Sequence, residues 1–181
     1  MSNHMAKNSI KQIKEDERKI INILSKNANK SINEIAKDCK FSRQKVWRII
    51  KNLEKNNTIW GYVAVIDEEK QDKNSYIVLI KRTNEPLSKG MIETIVNRDL
   101  AKNSEGQGLE ISHSLYTNGI YDWVICFNAQ DIKEAKGFVE VLYKVFKGYI
   151  SEIHILEKMF AAESCGITNP EISKLRNFFN L

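Results

Sequence analysis

Between Ser31 and Asn56 the chain reads SINEIAKDCKFSRQKVWRIIKNLEKN, and this stretch decides the fold of the first half. Ser31 and Glu34 form a Ser-x-x-Glu capping box, which predicts a helix start: the hydroxyl accepts an orphan N–H and the carboxylate reaches back. Ile32, Ile35 and Ala36 supply the apolar face of a short helix ending near Cys39. Ser42 is a second N-cap and opens a helix that runs to about Asn56. At about 100° per residue, Val46, Ile49, Ile50 and Leu53 fall on one stripe of that helix. Gln44, Arg48, Lys51 and Lys55 fall on the opposite stripe, with Lys45 and Trp47 on its flanks.

A short helix, a tight turn and a second helix with a cationic outer face is the helix-turn-helix order. Gln and Arg can read base edges in the major groove, and Lys can neutralise phosphates. The candidate DNA-binding residues are therefore Ser42, Arg43, Gln44, Lys45, Arg48, Lys51 and Lys55. Trp47 is expected to pack at the junction of helix and wing, the other reading being that it lies against the DNA backbone. Upstream, Asp16 precedes a helical run marked by Ile20, Ile21, Ile23 and Leu24; Met1–Asn8 are set aside from this reading. Downstream, Thr58–Asp67 is rich in β-formers and is expected to leave the helical unit as a strand with a small wing.

Charge supports this division. Residues 1–66 hold fourteen Lys/Arg against six Asp/Glu, while residues 67–181 hold fourteen against seventeen. A basic segment joined to a mildly acidic one points to a polyanion as partner of the first only.

The second half changes period. Ser75–Arg82 reads as a strand, and Pro86 and Ser88 introduce a helix to about Asn97 with Met91, Ile92, Ile95 and Val96 on its apolar stripe. A polar loop is expected over 98–108. Glu110–Thr117 and Tyr121–Phe127 are two strands around Asn118-Gly119, the pair preferred in type I′ turns. Asp131 caps a helix to about Lys147, and Tyr149–Phe160 is the last strand. The order βαββαβ is ferredoxin-like, and its uncovered sheet face suits a homodimer. Beyond it, Asn169 and Pro170 open a short amphipathic helix bearing Ile172, Leu175, Phe178 and Phe179.

Composition narrows the function class. The 181 residues are 42% hydrophobic and 28% charged, ordinary for a globular protein. No run approaches the ~20 apolar residues of a membrane span, and no secretory leader is expected at the start. Cys39, Cys126 and Cys165 are scattered without a CxxC pair, which suits a reducing cytoplasm and neither a disulfide frame nor a metal site. His113 and His154 fall on strands, and no nucleophile–base set, paired-carboxylate motif or metal spacing accompanies them.

These residues carry a resemblance. Asp16, Arg18, Lys19, Ile20, Ile23 and Leu24, then Ile35-Ala36, then Ser42, Val46 and Leu53, and above all Ile59-x-Gly61-Tyr62-x-Ala64-x-x-Asp67 resemble the leucine-responsive/asparagine (Lrp/AsnC, feast/famine) regulators. With the second half, the resemblance covers residues 16–160. It implies an α+β chain: a winged helix-turn-helix over 9–67, a linker over 68–74, a ferredoxin-like (RAM-type) dimerisation and effector domain over 75–160, and a C-terminal extension over 161–181. The family has Gly in the turn where this chain has Lys40. Its ligand signature, Thr-Gly-x-Tyr/Phe-Asp, is matched by Gly119, Tyr121 and Asp122, with Asn118 in place of Thr. By resemblance, Asn118, Gly119, Tyr121 and Asp122 would line a pocket for a small molecule, an amino acid. The implied protein is a cytoplasmic, non-enzymatic regulator of double-stranded DNA, without cofactor, assembled as a homodimer or a higher even-numbered oligomer. Two alternatives use the same architecture: an enzyme similar to sirohaem decarboxylases, and a ligand-binding module that no longer binds DNA.

Overall fold

The computed structural model describes residues 2–100 and 109–179, with side chains from residue 9 onward. The chain divides into two compact units: Met1–Val65 with Glu163–Ile172, and Ile66–Ala162 with Ser173–Leu181. Among the described residues, no helix is long and apolar enough to cross a membrane.

The first unit holds α1 (Ser2–Leu24), α2 (Ile32–Cys39) and α3 (Arg43–Lys55). Their shared core is Ile20, Ile35, Ala36, Val46, Ile49 and Leu53, all buried. Both expected caps are present. Ser31 Oγ accepts from Glu34 N at 3.3 Å while Ser31 N donates to the Glu34 carboxylate at 2.8 Å. Ser42 Oγ accepts from Lys45 N at 3.2 Å. Lys40 closes α2 in the left-handed conformation, φ 56°, donating its N–H to Lys37 O.

Two expectations are corrected. α1 begins long before Asp16, which is no helix start; it lies mid-helix, buried, as an ion-pair partner. The strand expected over Thr58–Asp67 is not formed: residues 59–67 have no regular secondary structure and no sheet partner among the described residues. β-rich composition favours a pleated backbone, but a ladder needs a second strand. Trp60 and Val63 are accordingly 95% and 82% exposed. Beyond these, Glu163–Ser164 (β5) and Ile167–Thr168 (β6), for which the sequence suggested no element, form a hairpin around Cys165 and Gly166, φ 50° and 75°. Two consecutive positive φ values are what a two-residue type I′ connection requires.

The second unit is a four-stranded antiparallel sheet of β1 (Asn74–Arg82), β2 (Glu110–Tyr116), β3 (Trp123–Ala129) and β4 (Ile150–Glu157), in the order β2-β3-β1-β4. α4 (Lys89–Val96) and α5 (Ile132–Val145) complete the βαββαβ order. This confirms the ferredoxin-like reading. Tyr76, Val78 and Ile80 of β1 and Trp123, Ile125, Phe127 and Ala129 of β3 alternate onto the helix side, where they meet Ala135, Phe138 and Leu142 of α5. Phe127 and Phe138 are 4.7 Å apart between ring centroids, and Trp123 meets Phe146 edge-on at 5.2 Å. Asp131 caps α5, its carboxylate accepting from Glu134 N at 2.8 Å. α4 buries only part of its expected stripe: Met91 and Ile95 pack on the core, while Ile92 and Val96 are exposed.

The connection between β2 and β3 is not the expected type I′ turn. Neither Asn118 nor Gly119 has a positive φ; instead a six-residue bend, 117–122, is closed by Thr117 N donating to Asp122 O at 2.9 Å. Of the polar loop expected over 98–108, residues 101–108 lie outside the described residues. The C-terminal segment Ile172–Phe178 is a 3₁₀ helix rather than an α-helix, with Phe178 against Phe160 at 5.7 Å.

The strained turn gives a test. Lys40→Gly removes the Cβ conflict of the left-handed conformation, so the variant should be more stable by about 1 kcal/mol. Urea denaturation of the full chain, followed by the helical signal, measures this.

Candidate nucleic-acid interface

Val46, Ile49 and Leu53 seat α3 on the rest of the first unit, and helical geometry then dictates what points away. Ser42, Arg43, Gln44, Arg48, Lys51 and Lys55 are all exposed. The structure thus brings six of the seven expected residues to one outward surface, with the Arg43 end at the helix N-terminus. Among the described residues, Arg43, Arg48 and Lys55 have no internal ion pair. Lys51 pairs with Glu54 at 2.7 Å, one turn along the same helix, and the lysine beside it holds the Glu54 carboxyl below its usual range. Tyr62 also donates to Glu54, at 3.2 Å. Both members of the Lys51 pair remain in solvent contact, and such exposed pairs hold their geometry weakly.

Lys45 is different. Its ammonium lies 2.6 Å from the Asp16 carboxylate and 4.0 Å from the Phe41 ring centroid. Asp16 is only 4% exposed and also accepts from Gln12 Nε2 at 3.0 Å. The Lys45 side chain therefore faces inward, tying the start of α3 to the middle of α1. Sequence reading placed it on the flank of the outer stripe, and the partner that turns it inward lies 29 positions away in sequence.

Trp47 also departs from expectation. Rather than packing at a helix–wing junction, it is 54% exposed, between Gln44 and Lys51 along the same outward row. Its position in the helical wheel was legible from the spacing; its lack of cover was not.

The four expected effector residues lie together on the β2–β3 connection. Asn118 and Gly119 are exposed at its tip, and Tyr121 and Asp122 are half-buried at its base. Asp122 Oδ2 accepts from Arg82 N at 2.7 Å, and Asp122 N donates to Ile80 O at 2.9 Å, so the residue staples the bend to the end of β1. Tyr121 stands edge-on to His154 at 5.8 Å between centroids. His154 Nε2 lies 2.8 Å from Glu152. A small cavity of about 40 Å³ beside Trp123 and Phe146, and an open groove of about 800 Å³ in the first unit between the α1–α2 turn and residues 58–65, are lined by none of the four.

Comparison with known proteins agrees with this geometry. Residues 17–59 match the family model described as winged helix-turn-helix DNA-binding. The first unit therefore has the helix-turn-helix fold, and residues 17–59 are similar to DNA-binding domains of that kind. Taken over most of its length, the chain has the fold of the Lrp/AsnC transcriptional regulators. Similar solved structures include an AsnC family transcriptional regulator from Agrobacterium tumefaciens, at 19% identity over 82% of this chain and 92% of that one, TM-score 0.60. The leucine response regulatory protein LrpA of Mycobacterium tuberculosis is 16% identical over 83% and 94%, TM-score 0.60. A transcriptional regulator from Neisseria meningitidis, solved as a complex with L-Met, is 14% identical over 85% and 94%, TM-score 0.60. No curated protein matches the chain.

The Asp16–Lys45 pair makes the first unit acid-sensitive. Hydrogen bonding from Lys45, helped by Gln12 and opposed by burial, holds the Asp16 carboxyl below its ordinary value. A depressed carboxylate stabilises fully above the unfolded value, near pH 4, and that contribution is lost as pH falls through the lower folded value. Asp16→Asn should cost about 1–3 kcal/mol at pH 7, the scale of a hydrogen bond to a charged group. It should also flatten the acid limb below pH 4. Hydrogen exchange of α1–α3 amides in the full chain, compared at pH 7 and in acid, reads both effects.

Proposed function

We propose that the chain is a member of the Lrp/AsnC regulators and acts as a sequence-specific, double-stranded-DNA-binding transcriptional regulator of the cytoplasm, without catalytic activity or cofactor. The observation that carries this is the α3 surface: Gln44, Arg48, Lys51 and Lys55 face outward from a helix whose opposite side, Val46, Ile49 and Leu53, is buried. Arg43 and Ser42 extend that surface to the helix start, where backbone N–H groups favour a phosphate. In this reading Lys45 positions α3 rather than meeting DNA. The L-Met complex of the Neisseria regulator supports an amino acid as effector, and in this chain Asn118, Gly119, Tyr121 and Asp122 are the residues proposed to receive it. The tetrapyrrole-enzyme alternative is not favoured by these neighbours.

A homodimer is part of the proposal. On the sheet face away from the helices, Ile77, Leu79, Val124, Cys126, Leu115 and Leu156 form an apolar centre, with no helix of the second unit over it among the described residues, by strand alternation and the observed register. The boundaries 9–67, 68–74, 75–160 and 161–181 are retained as its functional division.

Unbiased selection of bound duplexes should yield a two-fold symmetric site. Binding to it should weaken steeply with salt, by about 0.9 logarithmic units per logarithmic unit of salt for each phosphate neutralised. Arg48→Ala should lower affinity for that site about tenfold or more while sedimentation shows an unchanged assembly. A variant that binds the selected duplex as tightly as the wild type, with the same preference over a scrambled duplex, would remove α3 as the reading element.

Asp122→Asn keeps an oxygen for Arg82 N–H but removes the charge that an α-ammonium needs. The variant should bind DNA as the wild type does and lose any change in affinity produced by an amino-acid mixture. A full response in the variant would place the effector elsewhere.

A further inference from the structure

Trp47 is the one large apolar side chain of the outward row of α3, and among the described residues it makes no hydrogen bond, ion pair or ring contact. It lies four positions after Arg43 and four before Lys51, both exposed, so it sits on the flank of the Gln44–Arg48–Lys51–Lys55 stripe but inside the exposed arc of α3. We propose that Trp47 reads a thymine: its indole packs on the C5-methyl group of one base in each half-site. This rests on the DNA-binding reading of α3 and deepens it by assigning a base-reading residue that the charge pattern leaves out.

The chemistry of the groove narrows the choice. Along a helix seated in the major groove, the central row faces base edges, and the flanks face phosphates. Base edges there offer donors and acceptors, with one apolar exception, the thymine methyl. Lys51, the neighbour on the C-terminal side, is already drawn toward Glu54, and Lys45, which flanks the row, is held by Asp16. An indole left in water on that face gains by packing on a methyl group, whereas a phosphate oxygen can accept only from its N–H.

A methyl group can be removed from DNA without any other change. In the selected site, each dT is replaced in turn by deoxyuridine, and affinities are measured for wild type, Trp47→Phe and Trp47→Ala. At one position of each half-site, the replacement should weaken wild-type binding about fourfold, the value of one buried methyl group. Trp47→Phe should keep most of that loss. Trp47→Ala should bind the intact site about tenfold or more weakly and show no further loss with deoxyuridine there. The salt dependence of Trp47→Ala should equal that of the wild type, since the indole neutralises no phosphate. A scan with no sensitive position, or a Trp47→Ala protein that remains equally sensitive, overturns the proposal while the regulator reading stands. A Trp47→Phe protein that behaves like Trp47→Ala also overturns it, because the indole N–H, not apolar packing, would then be the reader. If wild-type protein selects no sequence at all, the failure lies with the DNA-binding reading itself. Thermal unfolding of each variant with a wild-type midpoint confirms that the comparison is made on folded protein.

Discussion

The burial of Val46, Ile49 and Leu53 is the constraint on which the rest of the first unit depends. A helix has a fixed angular step, so fixing three residues inward fixes every other residue's direction. Ile20 of α1 and Ile35 of α2 supply the floor that receives them. The apolar contact sets the tilt and depth of α3, and the Asp16–Lys45 pair then pins its first turn to α1. Nothing on the outward surface is needed for this. The residues there are free to be chosen for what they meet, which is why an uncovered tryptophan can persist among Gln44, Arg48 and Lys51 without unsettling the core.

What was legible in the sequence follows the range of the interaction that determines it. The caps at Ser31, Ser42 and Asp131 are satisfied within three residues, and each is found as read. The left-handed Lys40 belongs to the same class, since a helix end and a helix start two residues apart leave the chain few other routes. The α3 stripe was legible because periodicity is also local. Asp16 was not: its partner lies 29 residues on, and an Asp before an apolar run has the appearance of a cap. The Asn118-Gly119 turn failed for a related reason. Its dipeptide favours φ > 0 at both positions, but Asp122 is tied to Arg82 N and Ile80 O, and these tertiary bonds set a longer bend. The true type I′ pair, Cys165-Gly166, lies in strands of two residues each, too short to show an alternating pattern. Of the candidate effector residues, only their clustering on one connection was readable, because a pocket depends on surfaces that no local pattern encodes.

Two other features were legible as composition but not as structure. Among the described residues, 59–66 have the composition of a strand without a strand's partner, and the sheet face bearing Ile77, Leu79, Val124 and Leu156 is apolar without a covering layer from its own unit. Sequence composition records what a segment gains from being paired or covered. A single chain shows only the half of that arrangement it contains. The dimer proposed here would supply the other half to the sheet face, where alternation already places every apolar side chain in register for contact.

Charge needs the same distinction between what is present and what is free. The first 66 residues carry a surplus of eight positive charges, yet that figure is not a number of phosphate contacts. Lys45 is spent inside the unit on Asp16, and Lys30 is held by Asp38 at 2.7 Å. Lys51 must leave Glu54 before it can meet another anion. On α3 this leaves Arg43, Arg48 and Lys55 as the cations without an internal ion pair among the described residues. Three mobile cations supply attraction to any duplex but little discrimination between sequences, because phosphates are the same everywhere. Discrimination must then come from side chains that touch bases, and on this helix Gln44, Arg48 and the exposed indole of Trp47 are the ones proposed to do so.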